Sequence, residues 1–198
     1  MKYIITLFII FSTLLSAQVS ELMPISKTKF FFTDKDGMSR TVDMKGKAFI
    51  LISVREKNSD GRFYAVDEDG TVWLSSAVTS GIDMFTPSGI FKVLRKHRYH
   101  MSSAYPDEDG INNMDYSLFF TQAGHAIHQG SMTGMSHGCI HVHKKVIPSL
   151  FNWAWIGMPV LTTRHSYMSY AQHDLKRIYK KVKKVKRRAD HSRTTFKR

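Results

Sequence analysis

The chain has one cysteine, Cys139, in 198 residues. No internal disulfide can form, so a packed core must hold the fold together. No apolar run reaches the roughly 20 residues that span a bilayer. The longest lies between Tyr3 and Leu15, preceded by Lys2 and followed by the small residues Ser16 and Ala17. A charge, a short apolar core and a small-residue exit predict a signal peptide over residues 1–17 rather than an anchor or a buried helix. No cysteine follows the run, which excludes a lipid-modified mature N-terminus. Acidic residues are few: 16 Asp and Glu stand against 29 Lys and Arg, a formal charge of +13. The imbalance is local. Residues 164–198 hold 13 Lys and Arg against Asp174 and Asp190, a net of +11, so the rest of the chain is near neutral. The three Asp-x-Asp-Gly runs at Asp34, Asp67 and Asp107 lack the closing glutamate of an EF-hand loop and are expected to be turns.

What is present suits one compact domain. Hydrophobic residues make up 42% and aromatics 12%, enough for a core. Residues 18–46 read as a polar lead-in with one apolar cluster, Phe30 to Phe32. Strand-like runs then recur between turn signals: 48–54, 62–66 and 71–75 flanking an Asp-Gly turn, 89–94, 117–120, 125–129 and 158–162. Val142 to Trp155 carries helical spacing in Val146, Ile147, Leu150, Phe151 and Ala154. From Tyr167 the apolar residues fall at spacings of three and four with lysines and arginines between them, which predicts a basic amphipathic helix. The expected fold is mostly β, with a short helix after Cys139 and a basic helix at the C-terminus.

In an exported protein a lone thiol risks oxidation unless it does chemistry. Cys139 sits in Ser136-His137-Gly138-Cys139, among His125, His128, His137, His141 and His143. A thiol becomes a useful nucleophile with a base in hydrogen-bond reach and a partner orienting that base. Two histidines qualify. His137 shares a face with Cys139 if the chain is extended there, and His128 lies on the preceding strand. Gly138 permits a tight turn, and the amides of Gly138 and Cys139 can face a developing oxyanion. A rival reading is a metal site, because His137, Cys139, His141 and His143 fall at period two. Neighbours on one strand rarely close a tetrahedral site, so the block is expected to hold no metal. His125 is odd-spaced from His128 and is expected to be a packing or surface residue.

These blocks resemble the L,D-transpeptidases of the bacterial cell wall, the YkuD domain. "AFILISV", "RFYAVDEDG" and "AVTSG" are similar to its opening strands. "TPSG" at Thr86 to Gly89 resembles its Thr-Pro-x-Gly block, "MDYSLFF" and "GHAIHQG" the strand pair that delivers a histidine, "SHGCI" its nucleophile motif and "GMPV" its closing strand. The resemblance spans residues 47–163 and implies a β-sandwich-like catalytic domain with no cofactor. It implies Cys139 as nucleophile, His128 as general base and the Gln129 carbonyl as its orienting partner. It also implies that His137, Gly138 and Cys139 line the oxyanion side, that Ser136 and His137 shape the donor pocket and that Tyr116 lines the groove. His141 stands where the family usually has Arg or Asn, and histidine cannot grip a carboxylate bidentately.

The implied activity is transfer from a peptidoglycan stem tetrapeptide, with release of D-alanine, in the periplasm or cell envelope. Water in place of the amine acceptor would make the protein an L,D-carboxypeptidase or stem-peptide hydrolase. A periplasmic metal-binding protein is the alternative from another class. The basic tail is expected to meet anionic lipid or envelope polymers, not nucleic acid.

Overall fold

The computed structural model describes residues 19–56, 60–102 and 112–195. The expected signal peptide lies outside them. The lead-in proves to be structured. Strands β1 (Glu21–Pro24), β2 (Lys29–Thr33) and β3 (Ser39–Asp43) form an antiparallel three-stranded sheet. Period-two alternation explains it: Phe30 and Phe32 are buried while Phe31 between them is exposed. The β2–β3 turn is held by Asp34, whose Oδ1 accepts the amides of Asp36 and Met38.

The main sheet comprises β4 (Phe49–Val54), β5 (Gly61–Val66), β6 (Val72–Thr79), β7 (Gly89–Lys92) and β8 (Arg95–His97). A two-stranded ribbon follows, of β9 (Met101–Ser102) and β10 (Asn112–Asn113). The sheet resumes with β11 (Ser117–Phe119), β12 (Ala126–Gln129) and β13 (Ile140–Val142). Helix α1 (Ile147–Trp153), strand β14 (Pro159–Thr163) and helix α2 (Met168–Thr195) complete the chain. The nine strands run in the order β7-β14-β4-β5-β6-β13-β12-β11-β8.

The sheet curls on itself. Ile50, Ile52 and Phe63 from one half share a core with Leu118, Ile127, Ile140 and Val142 from the other, closed by Ile147 and Leu150 of α1. The opposite face of β4 and β5 presents Phe49, Leu51 and Tyr64 to Leu22, Phe30, Tyr167 just before α2, and the α2 residues Ala171 and Leu175. β4 is therefore buried on both faces, which is why its sequence is apolar without alternation.

Two buried carboxylates tie α2 to the body. Glu56 accepts the Tyr64 and Ser166 hydroxyls and the Tyr167 amide. Asp174 accepts Lys27 Nζ at 2.6 Å and the Val72 amide at 3.1 Å. Among the described residues no helix is long and apolar enough to cross a membrane.

The expected helix over 142–155 is shorter than its spacing suggests. Val142 is taken by the sheet, opposite Gln129 on one side and Val78 on the other. The His143 carbonyl then accepts the amides of Val146 and Ile147, and the helix starts after that turn. Backbone pairing outcompetes helix propensity here because Val142 is buried between two strands.

Candidate active site

The site is built by alternation across β13, β12, β11 and β8. Ile140, Val142, Ile127 and Leu118 point into the core. The intervening residues point to the other face. The parallel pairing of β12 with β13 sets His128 against His141, and the same register places Cys139 opposite Ala126. Phe119 pairs with Ala126 on one side and Arg95 on the other. One face thus carries His128, His141, Cys139, Ala126, Phe119 and Arg95. Cys139 packs on Ala126, Phe119 and Met114.

His128 is 2% exposed. Its Nδ1 lies 2.6 Å from the Gln129 carbonyl oxygen. A carbonyl only accepts, so Nδ1 carries the hydrogen and Nε2 the lone pair. Burial pushes the imidazole down to about 3, helped by the neighbouring His141 and opposed by the Gln129 bond. The rings of His128 and His141 are 4.9 Å apart. His141 Nδ1 lies 3.1 Å from the Ser131 carbonyl oxygen, so it too donates there. Gly130 makes room for that ring: a Cβ at Gly130 would stand 2.5 Å from His141 Cγ. Burial raises the Cys139 thiol above its ordinary value, opposed by a hydrogen bond with the Ala126 backbone. Its Sγ is 4.0 Å from the Gly124 carbonyl oxygen, a weak donation. Burial thus favours the neutral form of both the thiol and the imidazole on this face.

The nucleophile loop is locked by short polar side chains. Buried Ser136 donates its hydroxyl to the Cys139 carbonyl at 2.5 Å and accepts the Gly138 amide at 3.0 Å. This corrects the expectation for Gly138: its N–H is spent inside the loop, while the Cys139 amide stays a candidate for the oxyanion side. Ser136 shapes the site through this loop.

Gly138 is required for another reason. It sits at φ +121°, and a Cβ there would come within 2.7 Å of the His125 ring and 3.0 Å of the Phe85 carbonyl oxygen. The positive φ also breaks the extended chain that would have put His137 beside Cys139, and His137 is exposed. His143 likewise leaves the row, since β13 ends at Val142 and the His143 ring accepts the Lys145 amide. Among the described residues no group of three or more His, Cys, Asp or Glu side chains is placed to hold a metal ion.

Tyr116 departs from its expected place. Its ring packs on Phe151 of α1 and under the Arg98 guanidinium, against the core side of the sheet. It does not line the Cys139 face.

Three supporting residues escaped the sequence reading. Thr86, 2% exposed, accepts the Gly81 amide at 2.8 Å and donates to the Gly138 carbonyl at 3.0 Å. His125, expected to be a packing residue, packs on the nucleophile loop itself. Its Nε2 side faces the Phe85 carbonyl, and its Nδ1 lies 2.8 Å from Thr121 Oγ1. Arg164 donates to the carbonyls of Met84 and Thr86. Together they hold the segment 81–86 against Gly138. "TPSG" was the one sequence signal of this contact, and it named a block without a role.

A half-buried thiol, an oriented neutral imidazole on the adjoining strand and a backbone-locked nucleophile loop define a thiol enzyme of the acyl-transfer type. A model of the L,D-transpeptidase catalytic domain, YkuD, matches residues 48–161, more than half of the chain. The protein belongs to this family and is a cysteine L,D-transpeptidase.

Solved structures similar to it include an L,D-transpeptidase from Mycobacterium smegmatis, at 15% identity, covering 76% of this chain and 80% of that one, with a TM-score of 0.48. L,D-transpeptidase 3 from Mycobacterium tuberculosis, in complex with a faropenem-derived adduct, is 21% identical, with coverages of 70% and 68% and a TM-score of 0.49. The catalytic domain of the E. faecium L,D-transpeptidase is 25% identical, with coverages of 59% and 97% and a TM-score of 0.45. No curated protein matches the chain.

Proposed function

We propose that the protein is an exported peptidoglycan L,D-transpeptidase that works through a thioester on Cys139. The observation that carries this is the His128 tautomer. Donation of Nδ1–H to the Gln129 carbonyl leaves Nε2 as a base on the face that bears the thiol. In the proposed cycle, Cys139 Sγ attacks the carbonyl carbon before the terminal D-alanine of a stem tetrapeptide while its proton passes to His128 Nε2. The Cys139 amide stabilises the oxyanion. The C–N bond breaks, the leaving amine takes the proton from His128, and a thioester remains. An acceptor amine then attacks the thioester carbon, gives a proton to His128 and releases the thiolate, which takes that proton back. Cys139 and His128 are not hydrogen-bonded to one another in this structure, and catalytic contacts commonly tighten when substrate binds.

The test is to incubate the protein with purified disaccharide-tetrapeptide, beside a Cys139→Ala control, and follow products by mass spectrometry. A crosslinked dimer with loss of D-alanine, absent from the control, is expected. Tripeptide alone would assign water as acceptor and make the enzyme a carboxypeptidase. No Cys139-dependent product would overturn the proposal.

Residues 1–17 are proposed as the export signal, which places the enzyme in the periplasm or cell envelope. The exposed lysines and arginines of α2, among them Lys176, Arg177, Lys180, Lys181 and Lys183, are proposed to hold it to anionic lipid or envelope polymer. Each contributes about 1 kcal/mol near such a surface. Deleting residues 176–198 should abolish envelope association at low salt, and association that survives the deletion would refute the tether.

A further inference from the structure

The face that bears Cys139 continues beyond the thiol, and its far end is basic. Phe119 lies in the cluster on which Cys139 packs. Three basic side chains converge on this one ring. The Arg95 guanidinium sits 4.0 Å from its centroid. The His97 and His100 rings stand edge-on to it at 5.7 and 5.2 Å, and 5.3 Å from each other. Register fixes their side of the sheet, because Arg95 pairs with Phe119 and His97 with Ser117. Burial, with His97 and Arg95 close by, holds His100 below the ordinary imidazole range, so it offers a neutral N–H donor beside a permanent cation. Among the described residues no carboxylate forms an ion pair with Arg95, His97 or His100. A permanent cation beside imidazole N–H donors suits a carboxylate. His141, in the place where the family usually has Arg or Asn, is engaged with the Ser131 carbonyl.

We propose that Arg95, His97 and His100 around Phe119 form a subsite for a carboxylate of the acyl-donor peptide, lying on the same sheet face as the nucleophile. This rests on the transpeptidase function proposed above and specifies which donors the site accepts. Three interstrand steps from Cys139 to Arg95 span about 14 Å, and an extended peptide advances about 3.3 Å per residue. The carboxylate recognised is therefore not the terminal one next to the attacked carbonyl. It belongs to one of the two residues that precede the attacked one in the tetrapeptide, since Arg95 folds back over Phe119 and shortens the reach. Arg95 supplies the charge, and the imidazoles supply directed N–H donors.

The experiment compares two disaccharide-tetrapeptides, one with its acidic side-chain carboxylates free and one with them amidated. Binding to Cys139→Ser protein is measured by calorimetry, and thioester formation on wild-type protein by intact mass. The free-acid donor should bind roughly tenfold or more tighter than the amidated one, the size of one charge-assisted hydrogen bond. Arg95→Gln in the Cys139→Ser protein should remove that preference and leave the amidated donor's affinity within about twofold. Arg95→Glu should invert it. Equal binding of the two donors, or an equal loss for both on Arg95→Gln, overturns the subsite. A thioester that forms on wild type while the preference is absent would sink the subsite alone. No thioester with either donor would sink the transpeptidase proposal, while the binding comparison would still decide whether the carboxylate is read.

Discussion

Thr86→Val is the cleanest probe of how the nucleophile loop is held. The two side chains have nearly the same shape, so the substitution removes a hydroxyl without opening a cavity. In the structure that hydroxyl bridges two backbone groups: it accepts the Gly81 amide at 2.8 Å and donates to the Gly138 carbonyl at 3.0 Å. Water has little access, since Thr86 is 2% exposed. A buried polar group left without a partner costs about 1–3 kcal/mol. Two such groups put the loss at about 2–6 kcal/mol. In a chain of this size each kcal/mol moves the midpoint by about 2–4 °C, so thermal unfolding should fall by about 4–24 °C. Thr86→Ser keeps the hydroxyl and should recover most of the loss. The assay is thermal and urea unfolding of the three proteins, with thioester formation followed in parallel. Gly81 lies against Gly138 so closely that a Cβ on Gly81 would meet the Gly138 Cα at 2.7 Å. Loosening this contact should therefore also slow acylation of Cys139. If Thr86→Val unfolds within about 1–2 °C of wild type (below the shift worked out above), or Thr86→Ser is as unstable as Thr86→Val, the bridge does not carry the energy assigned to it.

Gly138→Ala should cost about 3 kcal/mol or more in urea unfolding, from a backbone region costly for any side chain plus overlap with Phe85 and a His125 ring held on both sides. Gly124→Ala is its control, with positive φ but nothing within 4 Å of the added carbon, and an equal loss in both would show that the His125 packing is unimportant. His128 takes up a proton near 6.5 when unfolded but only at about 3 when folded. The unfolded state thus binds more protons between those values. Its contribution is fully present above about pH 6.5 and is lost as pH falls toward 3, at no more than about 1.4 kcal/mol per unit. Urea midpoints from pH 7 to 4 should fall more steeply for wild type than for His128→Gln, and parallel slopes would count against a buried neutral imidazole. Burial raises the Cys139 thiol, so its alkylation by iodoacetamide should still be accelerating past pH 9. A rate plateau below pH 7 would instead reveal a thiolate–imidazolium pair.

Much of this protein is local chemistry and can be read along the chain. Ser136, Gly138 and Cys139 build their turn from groups two or three residues apart, so the motif already contains its own hydrogen bonds. The Asp67–Gly70 hairpin and the His128–Gln129 bond are local in the same way, as is the alternation that sends Ile127 and Ile140 inward and leaves His128 and Cys139 on the other face. Other features depended on which strands became neighbours. Thr86 meets Gly138, and His125 meets Phe85, only because the 81–86 segment bridges to Ser136.

Phe30 and Phe32 looked like an isolated cluster until the segment entering α2 supplied Tyr167 as their partner. Val142 carries a helical spacing, yet sheet pairing claims it. Tyr116 sits in a strand motif, but a positive φ of 59° and the nearby Phe151 turn it to the core side. Arg95, His97 and His100 form no pattern in sequence; the β8–β11 register brings Arg95 and His97 to Phe119, and the chain leaving β8 brings His100. Side-chain type and short spacing determined Cys139, its loop and the oriented imidazole of His128. Strand order and register, set by burial of both faces of β4 across long stretches of chain, decided what surrounds them.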